Sequence, residues 1–247
     1  MVEQQTVERI DVDGQPAWAK RYGNELRRFR LALLDAAVRL LGVPALRPPP
    51  RHAGDDARAT EQRRILQLAG ADVVVPGVLH SGEATLVLAD IGRTLAAHLR
   101  EVDAAGAERL FADAAEAIAC VHAAGQYLGQ PLPRNITIDA IGRIGFLDFE
   151  EDPGEVMDLR HAQARDWLVF TSGVAKYLPL DEQRMGKIIA DAMASVPAVT
   201  RDEVARSVAR LGFLETLTRP LGRRAASLGK AVAALRAALR TALTPRA

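Results

Sequence analysis

The stretch His122-Ala-Ala-Gly125-Gln-Tyr-Leu128-Gly129-Gln130-Pro-Leu-Pro133-Arg134-Asn135-Ile-Thr-Ile-Asp-Ala-Ile-Gly-Arg-Ile-Gly-Phe-Leu-Asp148-Phe149-Glu150 carries most of the information in this chain. It reads as a helix end, a Gly/Pro loop over 125–134, and two short strands, 136–138 and 144–147, joined by a turn over 139–143. A polar group stands at each end of the hairpin: Asn135 at the loop exit and Asp148 after the second strand. A hairpin of this length brings the two side chains close together. An amide oxygen and a carboxylate are hard ligands of the kind Mg²⁺ accepts, with phosphate oxygens and water completing the shell. A carboxylate directly after Ile-Gly-Phe-Leu is costly at a strand end unless something pairs with it.

Working outward, residues 7 to 22 spell a hairpin, with Asp13-Gly14 as a tight primed turn and Ala-Trp-Ala-Lys20-Arg-Tyr22 as its second strand. Residues 24–41 follow as an amphipathic helix with Leu26, Phe29, Leu33, Ala36 and Leu40 on one face, and an extended proline-rich loop runs from 44 to 56. A second helix is expected over 56–69. Strands are expected at 73–76 and 85–89, with Ser81-Gly82 as the turn between them. Helices are expected at 95–100 and 105–124, and from Asp158 onward the chain is mostly helical. Strands early and helices late make an α+β arrangement in two lobes.

The chain has 247 residues, enough to bury a sizeable core, and 32 Lys+Arg against 31 Asp+Glu leave a formal net charge of +1. That balance excludes a uniformly basic nucleic-acid coat, and DNA is not an expected partner. The single cysteine, Cys120, excludes a disulfide framework and a cysteine-built metal site, and it is expected to be a small buried hydrophobe. The acidic, polar start is not a secretory signal and no apolar run reaches 18 residues, so the expected location is cytoplasmic. Only four lysines occur, at 20, 176, 187 and 230, and only two asparagines, Asn24 and Asn135. The charge is unevenly spread: residues 17–51 hold eight basic and two acidic residues, whereas 139–158 hold seven acidic and one basic.

Positions 130, 135 and 148 resemble the catalytic loop and metal-binding segment of the protein-kinase-like superfamily, in which an Asp is followed by Asn after five residues and by Asp-Phe-Gly after thirteen more. Asp-Phe-Glu in this place resembles the compact atypical branch: lipopolysaccharide core kinases, RIO kinases and the small kinase of the KEOPS complex. The similarity extends over roughly residues 7–175. It implies that Lys20 anchors phosphate, that Glu61 on the second helix pairs with it, and that Asn135 and Asp148 hold Mg²⁺. Leu88 and Asp90 fall on the hinge that contacts adenine through its backbone, and Asp166 in Arg-Asp-Trp braces the catalytic loop. The implied fold is kinase-like: an N-lobe over 1–92 with an inserted helix, a helical C-lobe over 93–215, and a basic tail helix over 216–247. The implied cofactors are ATP and Mg²⁺.

Three departures stand beside that resemblance. Gln130 occupies the place of the catalytic Asp, and an amide has no useful basicity. Leu128 likewise replaces the preceding His, and little room exists before the first strand for a glycine-rich phosphate loop. Asp166 follows Asp148 by only eighteen positions, too few for a long peptide-docking segment, which favours a small or glycolipid hydroxyl acceptor. Glu150, Glu151 and Asp152 are solvated charges by default, though one can replace the missing base or hold a second metal ion. Lys20 has a bland reading as a solvent-facing strand residue, Glu61 as a helix position salt-bridged to Arg63 or Arg64, and His122 as a hydrogen-bonded core or helix-end residue.

The tail holds seven basic residues and no acidic one, and Leu228, Val232, Leu235, Leu239 and Leu243 form one helical stripe. This helix packs on the C-lobe, lies peripherally on an anionic membrane face, or contacts RNA, the last disfavoured by the lack of interleaved aromatics. Three functions remain open: a phosphotransferase acting on a hydroxyl such as one of lipopolysaccharide, a pseudokinase acting as a nucleotide-sensing or adaptor module, and a purely structural module.

Overall fold

The structure, a computed structural model, describes residues 5–23, 42–213 and 223–243. The expected helix over 24–41 lies outside the described residues. The N-terminal part is a four-stranded antiparallel sheet of order β1-β2-β4-β3, with β1 Thr6–Val12, β2 Gln15–Arg21, β3 Val78–Gly82 and β4 Thr85–Ala89. Val12 pairs with Gln15, so the connecting loop is the two residues Asp13 and Gly14, both at positive φ (55° and 79°). That is the primed turn whose twist matches the strands it joins, and Asp11 reinforces it by accepting from the Gly14 amide at 2.8 Å.

The β3–β4 hairpin departs from the sequence expectation in register. Residues 73–77 lie outside the sheet, and the turn falls on Glu83-Ala84 rather than Ser81-Gly82. Pro76 has no N–H to contribute to a ladder, so pairing starts only beyond it. The skipped valines still contribute: Val73 and Val75 pack against the core, and the Val74 carbonyl accepts from the Phe146 amide at 2.9 Å. Helix α1, Gly54–Ala69, lies behind this sheet, with Asp55 and Asp56 at its positive end and Thr60, Glu61, Arg64, Ile65 and Leu68 buried.

A second sheet of order β5-β6-β7 (Arg93–Thr94, Ile136–Ile138, Ile144–Phe146) sits on the helical lobe. That lobe comprises α2 Leu95–His98, α3 Ala104–Ala123, α4 Leu159–Val174, α5 Glu182–Ala192, α6 Ala198–Leu211 and α7 Arg223–Leu243. Asp103, Asp158 and Asp181 each cap a helix by accepting from a backbone amide in its first turn. The core is centred on Phe111, Ile118, Trp167, Phe170 and Met185, with Phe111 and Phe170 stacked at 5.5 Å. On α3 the buried positions are 106, 107, 111, 114, 115, 118, 119, 121 and 122. Cys120 falls on the opposite side of the helix and is exposed, which corrects its expected burial.

Helix α7 packs inside the helical lobe. Ala231, Val232, Ala234, Leu235 and Ala238 are buried, and the Lys230 ammonium donates to the Leu178 carbonyl at 3.0 Å. Of the destinations open to this helix from its sequence, the structure shows packing: Val232 and Leu235 of its apolar stripe are buried and Leu239 is half-buried against the core, while Leu228 is exposed. Gly186 makes the approach possible: a Cβ at that position would stand 2.8 Å from the Ala234 carbonyl oxygen and 3.0 Å from the Ala238 amide. Among the described residues no helix is long and apolar enough to cross a membrane.

Gly186→Val is therefore expected to destabilise the chain by about 1–3 kcal/mol. The check is urea unfolding; a neutral result would show that α7 is not held against α5.

Candidate functional site

The site is built where the two lobes meet, and its centre is the Lys20 ammonium. Lys20 and Trp18 share one face of β2, and that face looks away from the Ala17 side buried in the sheet core. Lys20 Nζ lies 2.6 Å from Glu61 on α1, 2.9 Å from Asp148 after β7 and 3.0 Å from Glu150. The Lys20 side chain is 8% exposed and that of Glu61 1%. Tyr22, two residues further along the same strand face, donates its hydroxyl to Glu61 at 2.5 Å.

Burial by itself lowers the affinity of Lys20 for its proton, but Glu61, Asp148 and Glu150 together outweigh it and hold the pKa well above the ordinary lysine range. Burial pushes the Glu61 carboxyl up, opposed by Lys20 and by the Lys20 and Tyr22 hydrogen bonds. The Tyr22 hydroxyl is raised by burial and by Glu61. The result is a hydrogen-bonded ion network spanning both lobes.

Asp148 is held by its backbone as well as by its charge. It is one of four non-glycine residues at positive φ among the described residues, at 68°, in a region that costs energy for such a residue. The Leu147 amide just before it bonds to the Asn135 carbonyl at 2.8 Å, closing the hairpin and bringing Asn135 against Asp148. The Asn135 Nδ2 group donates to Asp148 at 3.3 Å and to the Gln130 carbonyl at 3.1 Å.

The loop carrying Gln130 is fastened from below. Asp166, fully buried on α4, accepts from the Leu128 and Gly129 amides, both at 2.7 Å, and from His122 Nε2 at 3.0 Å. His122 is thus a core histidine on a structural carboxylate, as one reading of its sequence position anticipates. Gln130 in turn donates its side-chain amide to Glu151.

Gln130, Asp148, Glu150 and Glu151 line one polar cleft of about 520 Å³, together with Tyr22, Arg51 and Arg134. A separate, more apolar hollow of about 720 Å³ lies under the 90–92 segment, lined by Trp18, Val74, Asp90, Ile91 and Gly92. Asp90 is therefore at a hollow, with its side chain accepting from the Gly92 amide at 2.9 Å and its own amide bonded to the Pro16 carbonyl. Leu88 is not: it sits in β4 between β2 and β3 and is buried in the core.

Glu61, Asp148 and Glu150 have carboxylate oxygens close enough together to hold a cation. Lys20 already stands among them as a cation and contacts all three, so the cluster's negative charge is partly offset without a metal ion. Asp148, which lines the cleft, with Asn135 buried directly behind it, is the better fit to Mg²⁺, because a carboxylate and an amide oxygen are hard donors. To share an ion with Asp148, Asn135 would present its amide oxygen to that ion, giving up its present Nδ2 contacts.

Tyr22 is the participant that sequence reasoning missed, although its i+2 spacing from Lys20 on a strand is the signal that finds it. The basic residues at Glu61's flank do not pair with it. Arg63 goes to Asp152 at 2.7 Å, and Arg64 goes to the Tyr127 carbonyl at 2.6 Å.

No protein-family model matches the chain, and no curated protein matches it. Among solved structures it aligns with a MAP kinase from Leishmania major. The identity is 13% over 99% of this chain and 86% of that one, with a TM-score of 0.37. At that score the functional reading rests on the geometry of the site.

Lys20→Met is expected to cost about 3–5 kcal/mol, because it leaves the Glu61 carboxylate buried without its counter-charge. Glu61 then titrates still higher in the folded state than its ordinary 4.5. A carboxyl whose folded pKa is raised favours folding below its unfolded value and loses that contribution as pH rises through the folded one. The stability deficit of Lys20→Met should accordingly shrink as the pH is lowered toward 4.5, in urea unfolding followed at several pH values.

Proposed function

We propose that this protein is a compact kinase-like phosphotransferase that binds ATP with Mg²⁺ and passes phosphate to a hydroxyl acceptor. The observation that carries the reading is the Lys20 ammonium, held between Glu61 on α1 and Asp148 at the end of the β6–β7 hairpin. A lysine fixed by a buried carboxylate at the meeting of two lobes is a pre-oriented cation for phosphate oxygens. Glu61 and Tyr22 keep it in place, so positioning it costs little when a nucleotide arrives. Asn135 and Asp148 would hold the metal ion, which supplies charge neutralisation at the transferred phosphoryl group. The apolar hollow beside Trp18 and Ile91 suits a flat, aromatic base.

The acceptor side favours a small molecule or a glycolipid such as lipopolysaccharide over a peptide. After Asp148 the chain folds back at once: Asp152 pairs with Arg63 of α1 and accepts from Tyr127, a 3-10 turn follows at Pro153–Glu155, and α4 begins at Leu159. That leaves no extended segment on which a peptide can lie.

A second reading, a pseudokinase that senses nucleotide without turning it over, is favoured by Gln130 alone. Both readings require nucleotide binding. Millimolar Mg-ATP is expected to raise the thermal unfolding midpoint of the native chain, by about 2.7 kcal/mol of stabilisation at a hundredfold excess over Kd, and to leave Asp148→Ala nearly unmoved. No shift in the native chain would overturn both readings.

A further inference from the structure

Three carboxylates follow Phe149 in a row, and the structure sends them in three directions. Glu150 goes to Lys20 at 3.0 Å and accepts from Gln5 at 2.8 Å. Asp152 is buried, accepting from Arg63 at 2.7 Å, from the Gly154 amide at 2.9 Å and from the Tyr127 hydroxyl. Both are committed to holding the structure together. Glu151 pairs with the half-exposed Arg51 at 3.0 Å, and it alone of the three also accepts from the Gln130 side-chain amide, in the cleft that Asp148 lines.

We propose that Glu151, oriented by Gln130, is the general base of this cleft and takes the proton from the acceptor hydroxyl. The inference rests on the phosphotransferase reading and removes the objection that Gln130 raises against it. Gln130 is then a positioning residue: its amide N–H₂ donates to one carboxylate oxygen and fixes where the charge sits, a role an Asp at 130 would abolish by repulsion.

The backbone is arranged for this pairing. Asp166 pins the Leu128 and Gly129 amides, and Arg165 Nε reaches the Gly129 carbonyl at 3.3 Å. Gly129 has φ +91°, and a Cβ on it would stand 3.3 Å from the Glu151 carbonyl oxygen and 3.1 Å from Pro153. Only glycine allows the 128–130 loop to lie this close to the 151–153 segment in that conformation. The Gln130–Glu151 contact is a consequence of two packed segments, not of two side chains meeting in solvent.

The charged groups facing Glu151 are Arg51, whose Nε is 3.0 Å away, Arg165 and Glu150. Burial pushes the Glu151 carboxyl up; Arg51 and Arg165 oppose the rise, Glu150 adds to it, and the net direction is upward. A carboxylate of raised pKa is the more effective proton acceptor near neutrality. In the step itself, the acceptor O–H gives its proton to a Glu151 oxygen while the acceptor oxygen forms a bond to the γ-phosphorus of ATP. The bond from that phosphorus to the β–γ bridging oxygen breaks, and its electron pair leaves with ADP.

Water serves as acceptor in the test, with phosphate release from Mg-ATP as the rate and the Mg-ATP thermal shift as an independent measure of binding. Glu151→Gln is expected to lower the rate by about 10²-fold or more and to keep the thermal shift. The native rate should fall on acidification along a single protonation step that Glu151→Gln lacks. The exchanged pair Gln130→Glu with Glu151→Gln preserves the hydrogen bond and returns a carboxylate to the cleft, and it should recover part of the lost rate. A Glu151→Gln rate within about threefold of native overturns the proposal, being far short of the loss a general base entails. So does a native chain that shifts with Mg-ATP yet releases no phosphate, and so does an exchanged pair that folds but stays as slow as Glu151→Gln. Absence of any thermal shift instead overturns the nucleotide reading on which this one stands.

Discussion

The Lys20 ammonium is the point through which the two lobes hold each other. It is a buried cation touching three carboxylates that arrive from α1 and from the segment after β7. Taking one such charge out of water costs several kcal/mol, and only close, hydrogen-bonded partners offset it. The arrangement therefore tolerates little displacement of any of the elements involved. The β2 strand, the middle of α1 and the end of the β6–β7 hairpin are fixed relative to one another because each supplies a charge the others need.

That constraint explains features that look unfavourable in isolation. Asp148 adopts a left-handed backbone that an aspartate would not choose freely. It persists because the Asn135–Leu147 hydrogen bond closes the hairpin before it and the Lys20 contact fixes the side chain after it. Glu61 would be intolerable as a lone charge in the core, yet with Lys20 and Tyr22 it becomes the anchor of α1. Asp166 plays the same part below the cleft, where one buried carboxylate satisfies two loop amides and a histidine.

The even charge balance of the chain conceals this concentration. The acidic residues of 148–152 meet Lys20, Arg51 and Arg63, so the cleft is lined by both signs with the carboxylates ordered by their partners. The basic tail helix, by contrast, contributes packing. Its small residues let α7 lie against Gly186 of α5, an approach set by volume and not by charge.

Much of the architecture was legible along the chain. The Asp13-Gly14 turn, the strand around Lys20, the helices at 54–69 and 104–123 and the Asn135–Asp148 hairpin follow from periodicity, turn chemistry and spacing, which act between near neighbours in sequence. The α+β division into an early sheet and later helices follows from the same local signals. The β3–β4 register was misplaced because a run of valines outweighed the missing N–H of Pro76. The burial of Cys120 was misplaced because its hydrophobic neighbours hid which side of α3 it occupies. Only the folded chain decided which of three adjacent carboxylates faces Gln130, that Arg63 leaves Glu61 for Asp152, and that Tyr22 completes the Lys20 network. Those choices depend on how segments far apart in sequence are packed, and a side chain's partner is set by that packing, to which neighbouring residue types are indifferent.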